Sequence, residues 1–332
     1  MQRLILGNKD ISTSLKMDGE YIDVAWPVYT SSIDIEYLVV SGGGAGSPAV
    51  ADGIYEGAGG GAGAVNTGSF ILQTVDTAPD PYTINVQVGA GGSGQEYTSN
   101  FRASRGEWSW VGSTFWQALA AAGAGAGGFT TERTALPSGG DSGIYTQTQI
   151  SNAPLTGSFA SFRFGGYNGF FNQDAGGGAG ASQIGGDGQA SEGSPNAVGG
   201  AGGAGVNMNN WYWNSSLDVV GVIAGGGGGS AGDSASPAAG AGTDGGGNGA
   251  LGSNDGSDAT TFGSGGGGAD KGKGGDGADG LVVLRYENRF PINDSGDDVF
   301  QVGDYWYHSF YASASFAAQY TFERPEKILI DV

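Results

Sequence analysis

The sequence predicts a chain that is mostly β and irregular, a bundle of glycine-rich helices of the polyproline II type with flanking short β-strands and almost no α-helix. Three observations carry this. All but four of the 70 glycines (Gly7, Gly19, Gly296 and Gly303) lie between Gly42 and Gly280, in runs such as GGGAG at 42–46, GAGGGAG at 57–63 and GGGGG at 225–229. The runs are bounded by apolar, β-branched segments that read as strands. Between Gly42 and Gly280 no apolar period of about 3.6 residues is sustained, so nothing supports an α-helix.

The glycine runs come first. Glycine costs more backbone entropy to order than any other residue and brings no side chain to bury. With 70 Gly and 10 Pro in 332 residues, a disordered chain is the first alternative. The bounding segments argue against it: 35–40 (IEYLVV) before the first run, 281–286 (LVVLRY) after the last, and 69–72, 82–88, 115–120 and 217–224 between. In an α-helix each Gly costs about 1 kcal/mol relative to Ala. A three-residue-per-turn helix instead points its N–H and C=O groups outward, and glycine lets such helices touch and bond to one another. No strict Gly-X-Y register is present, which excludes collagen.

Four segments carry a family likeness: EYLVVSGGGAG at 36–46, YTINVQVGAGG at 82–92, FWQALAAAGAG at 115–125 and GGDGADGLVVLRY at 274–286. In order and spacing they resemble the glycine-rich domain of phage tail-fibre tips and adhesins. The resemblance covers residues 35–286. It implies a polyglycine II bundle, a place at a virion's fibre tip and a role in host recognition. Gly43, Gly60, Gly178, Gly227 and Gly267, each inside a run, are the expected contact glycines of such a bundle. The chain then divides into an N-terminal β segment at 1–34, the bundle at 35–286 and a small antiparallel β segment at 287–332. Either flank could serve as a virion anchor.

Composition narrows the function. The chain has no Cys, which excludes a disulfide framework, a thiolate metal site and a cysteine nucleophile. Only 13 Lys and Arg stand against a net charge of −20, a poor basis for holding nucleic acid. The apolar start is too short for a signal peptide, and no 18-residue apolar run exists for a membrane span. These features suit a virion part made in a bacterial cytoplasm and exposed outside the cell, with other virion proteins and a host glycan or outer-membrane protein as partners and an oligomer possible.

The binding residues are sought among the aromatics between the runs. They fall in 95–116 (with Trp108 and Trp110), 159–171 (with Tyr167 and Phe170) and 207–214, where Asn210 precedes Trp211-Tyr212-Trp213. Glycine helices supply no side-chain core, so these rings either seal the bundle or present platforms to a receptor. If Trp211–Trp213 is extended, alternation sends at least one of the three rings outward.

Catalytic and metal motifs do not hold up. Gly267–Lys273 reads GxxxxGK, but Gly274 stands where a Ser or Thr would hold magnesium. Residues 274–282 spell one calcium nonapeptide with Asp276 and Asp279, yet that fold needs tandem copies. Asp294, Asp297 and Asp298 suit a solvated turn better than a cation site. His308 is the single histidine, and sequence gives it no catalytic partners. No enzyme activity, cofactor or metal is expected. Three function classes remain: a receptor-binding fibre-tip adhesin, a structural virion component without receptor binding, and an ice- or matrix-binding glycine-helix protein. The last is disfavoured because ice binding wants a flat, regular face.

Overall fold

The computed structural model describes residues 4–6, 9–11, 16–17, 20–21, 32–49, 56–73, 83–97, 103–112, 118–122, 159–161, 175–186, 188, 198–232, 237–287, 296–311 and 318–323. Among the described residues there is no α-helix, as the missing 3.6-residue period requires. Two hairpin pairs lie near the start, β1 (Leu4–Leu6) with β2 (Lys9–Ile11) and β3 (Lys16–Met17) with β4 (Glu20–Tyr21). The main strands are β5 (Ser32–Val40), β6 (Val65–Gln73), β7 (Thr83–Val88), β8 (Ser109–Gly112), β9 (Ala118–Ala122) and β10 (Phe159–Ser161). A short pair follows, β11 (Val206–Asn207) and β12 (Val222–Ile223), and then β13 (Leu281–Glu287), β14 (Asp298–Val302), β15 (Tyr305–Tyr311) and β16 (Ala318–Glu323).

These strands build a six-stranded sheet in the order β10-β6-β5-β13-β15-β14 and a four-stranded sheet in the order β16-β7-β8-β9. The first and last apolar runs of the sequence, β5 and β13, are antiparallel neighbours at its centre, with Val40 opposite Leu281 and Glu36 opposite Arg285. Among the described residues the C-terminal strands join the two main sheets. β14 and β15 extend the six-stranded sheet beyond β13, and β16 pairs with β7 in the other one.

Alternation along the strands gives the six-stranded sheet two buried faces. Ile35, Tyr37, Val39, Val282, Leu284, Tyr286 and Phe310 on one face pack against Ile84, Val86, Val88 and Val111 of the four-stranded sheet. His308 is fully buried on this face, with its Nε2 2.7 Å from the Tyr286 hydroxyl. Leu38, Val40, Leu281, Val283, Phe300 and Tyr307 on the other face pack against Met208, Trp211, Val220 and Ile223.

The glycine segments rise from these sheets and return to them. Segment 41–49 leaves β5 and segment 56–64 comes back into β6; 89–97 leaves β7 and 103–108 returns to β8; 273–280 descends into β13. Segments 175–181, 198–205, 224–232, 237–243, 245–250, 255–261 and 263–270 fill the space between. Their bonds repeat every third residue. Ser41, Gly44 and Ser47 donate to the carbonyls of Ala64, Gly61 and Ala58, while Gly42 and Ala45 donate to those of Glu107 and Ser104. Gly43 and Gly46 donate in turn to Ala278 and Gly275, so one segment bonds to three neighbours in rotation, at 2.8–3.2 Å. The segments thereby satisfy one another's backbones where water is excluded. Fully buried serines close the ends: the Ser41, Ser109 and Ser264 hydroxyls accept from the N–H groups of Ser109, Gly89 and Gly225 near the sheets. Ser47 and Ser230 do the same for Ala58 and Gly57 at the opposite end.

Glycine is required by the spacing. A β-carbon on Gly43 would overlap the Ser264 carbonyl, one on Gly60 that of Gly44, and one on Gly178 that of Gly60. On Gly227 and Gly267 it would overlap the carbonyls of Gly266 and Asn248.

Candidate functional site

The bundle has two unlike ends. At the sheet end lie both sheets and the chain reversals at 181–184, 206–223, 243–246 and 261–264. At the far end lie the turns 251–254 and 270–273, where Lys271 N–H donates to the Gly252 carbonyl. Ala49 and Glu56, Tyr97 and Ala103, and Gly232 and Pro237 also stand at the far end, flanking the connections 50–55, 98–102 and 233–236.

Among the described residues, a group of charged and aromatic side chains gathers at the sheet end, beneath residues 206–223. The sequence predicts one strand over 217–224, but only Val222–Ile223 is a strand. Leu217 (φ 63°) and Gly221 (φ 78°) take left-handed backbone conformations that interrupt it. Asn209-Asn210 form a turn in which Trp211 N–H donates to the Met208 carbonyl. The Asn214 side chain bonds reciprocally with Asp218, at 2.9 and 3.0 Å, bracing the turn that ends at Leu217.

Tyr212 bridges Val219 in antiparallel register, and all three rings of the triplet nonetheless find partners within the fold. Trp211 is 4% exposed. The half-buried Tyr212 packs edge-on to Tyr307, and the half-buried Trp213 packs edge-on to Phe262 and Tyr311. The pin is Arg285. Its guanidinium carbon stands 4.2 Å from the Trp211 ring centre and 5.4 Å from that of Tyr305. It donates to Glu36 across the β5–β13 pair, through Nε at 2.7 Å and again through a terminal nitrogen. The other terminal nitrogen reaches the Asn210 carbonyl at 2.8 Å. The hydroxyls at the rim titrate above the ordinary tyrosine value, Tyr305 chiefly through its hydrogen bond to Glu287 and Tyr311 chiefly through burial.

The remaining sequence candidates fall elsewhere. Trp110 is buried on β8 and donates its Nε1–H to Gln87 Oε1 at 2.9 Å, while the half-buried Trp108 accepts from Gln87 through its carbonyl. Trp110 belongs to the four-stranded sheet and Trp108 directly precedes it, on the opposite side of the six-stranded sheet from Trp211. Tyr167, Phe170 and Asp294 lie outside the described residues. Asp276 and Asp279 accept from the N–H groups of Gly94 and Gly91. Asp297 and Asp298 accept from those of Tyr311 and Ser215. All four carboxylates thus cap backbone. Among the described residues no group of His, Cys, Asp and Glu is disposed to hold a metal ion. Sequence reasoning missed Arg285, Glu36, Tyr305 and Tyr307 as a unit. The signal was an arginine inside the apolar run LVVLRY, facing a glutamate in the run IEYLVV.

Residues 17–287 match the model of a family described as a glycine-rich domain. The chain belongs to that family. A search of curated proteins found no match. The match to the glycine-rich domain covers the bundle and both central strands, and it says nothing of phages or fibres.

Proposed function

We propose that this glycine-rich domain protein is a virion fibre protein, a phage tail-fibre tip adhesin in which the bundle is a stiff mount for receptor-contacting segments. The carrying observation is the unlikeness of the ends. The C-terminal strands β14, β15 and β16 join the two main sheets at the sheet end, which suits attachment to other virion proteins. The described residues on either side of 50–55, 98–102 and 233–236 stand at the far end, which suits contact with a host glycan or outer-membrane protein. The three-residue bonding rotation fits helices of the polyproline II type, whose mutual bonds make the mount rigid. In this reading the receptor contact moves from Trp211–Trp213 to the far end, and the triplet becomes part of the mount. Nothing in the fold itself dictates a function, so the ends must be tested apart.

The test is binding of the labelled chain to a panel of bacterial strains. Replacing 98–102 and 233–236 with Gly-Ser segments of equal length should abolish binding and leave the melting temperature unchanged. Changing Trp211 and Trp213 to Ala should lower the melting temperature. A chain that binds no strain, or whose far-end variants bind unchanged, returns the protein to the second reading, a structural virion component. The packing of the aromatic triplet against its own sheet is the observation that favours that reading.

A further inference from the structure

Along the flank of the bundle, backbone N–H groups meet side-chain oxygens in place of another segment's carbonyls. Gly91 N–H donates to Asp279 Oδ1 at 2.7 Å and Gly94 N–H to Asp276 Oδ1 at 2.6 Å. Lys273 and Asp276 N–H groups donate to Asp255 and Asp258 Oδ1, both at 2.7 Å. Gly205 and Gly242 N–H groups donate likewise to Asp244 and Asn248, both at 2.8 Å. Asp255 and Asp258, like Asp276 and Asp279, are three residues apart, the period with which interior segments bond to each other. The Lys273 ammonium shares Asp276 Oδ1 at 3.1 Å. A side-chain oxygen thus occupies the place that a neighbouring glycine segment's carbonyl takes in the interior.

We propose that these carboxylates are guards that stop a glycine segment of a second copy of this chain from adding to the flank. An uncapped row of N–H groups beside glycines resembles an open sheet edge, with no β-carbon to hold an incoming backbone away. The second copy is the fitting occupant because its segments carry the same three-residue period and the same bare backbone. Charge adds to the cap, since two like flanks with rows of carboxylates repel at close range.

The experiment is mass measurement by light scattering across a wide range of concentration. The parent chain should keep a constant mass. Asp276→Ala with Asp279→Ala should gain mass with concentration, and adding Asp255→Ala and Asp258→Ala should strengthen the gain. Alone, Asp279→Ala loses its bond to Gly91 and Asp276→Ala those to Gly94 and Lys273, so each disturbs the fold less than the pair; association in either supports the guard. Asp276→Asn with Asp279→Asn retains the acceptor oxygen without charge and should stay at parent mass. Association of the Asn pair equal to that of the Ala pair overturns the capping account. Single and paired Ala variants that melt cooperatively and stay at parent mass overturn the proposal. So does a parent chain whose Gly91 amide gains exchange protection with concentration.

Discussion

At the residue scale the bundle depends on the absence of a β-carbon. Gly227 N–H donates to Gly60 and its carbonyl accepts from Gly178, while its α-carbon faces the carbonyl of Gly266. Gly227→Val must push three segments apart, and each buried group left unpaired costs roughly 1–3 kcal/mol. We expect no cooperative melting transition from this variant, as measured by calorimetry. Gly252 is the contrast: its φ is +57° and nothing lies within 4 Å of an added β-carbon. Gly252→Ala should cost only the left-handed backbone penalty, about 1–2 kcal/mol. That contrast is invisible in the sequence, where both are one glycine among many. Glycine carries no side-chain code, so composition announces the bundle while leaving its pairings unwritten.

At the element scale the legible parts were those with side chains that alternate. β5 and β13 stand out as apolar runs whose two faces both find a buried partner. The ribbon 206–223 was not legible as packed structure, because its turns rest on left-handed Leu217 and Gly221 and on side-chain bonds between Asn214 and Asp218. Its seat is Arg285. Arg285→Ala removes the bonds to Asn210 and Glu36 together with the stacking on Trp211, and hydrogen bonds to charged groups are worth about 1.5–3 kcal/mol. A matching fall in stability is expected, with faster hydrogen exchange across 208–220. Retained protection there would mean that apolar contacts alone seat the ribbon. Tyr37, on the same strand as Glu36, gives a pH signature. Burial raises its hydroxyl well above the ordinary 10.0, so the folded state resists its ionisation. The neutral phenol's contribution is complete below pH 10 and is lost as the pH climbs from there toward the folded value. Denaturant midpoints should fall above pH 10 in the parent and fall less in Tyr37→Phe.

At the scale of the whole molecule, the two central strands of the main sheet lie at opposite ends of the glycine-rich stretch. Val40 pairs with Leu281, so the sheet can close only once the whole intervening stretch has been made. Each glycine segment bonds to others distant in sequence, as Ser41 does to Ala64 and Gly43 to Ala278. Loop-closure entropy must be met before those bonds form, and non-local topologies of this kind fold slowly. The order of events follows from burial. The apolar faces of β5, β7 and β13 supply the hydrophobic gain, whereas the glycine segments supply backbone bonds and almost no apolar area. The sheets should therefore assemble first and template the bundle. A chain stopped after Gly280 lacks β13, β14, β15 and β16 and leaves β5 without its central partner. It should show no cooperative melting and no protease-resistant core, although nearly every glycine is present. Tryptophan fluorescence during refolding of the full chain should change before the glycine amides gain protection in pulsed hydrogen exchange. Simultaneous or reversed protection would mean that the bundle nucleates on its own, with the sheets added as a cap.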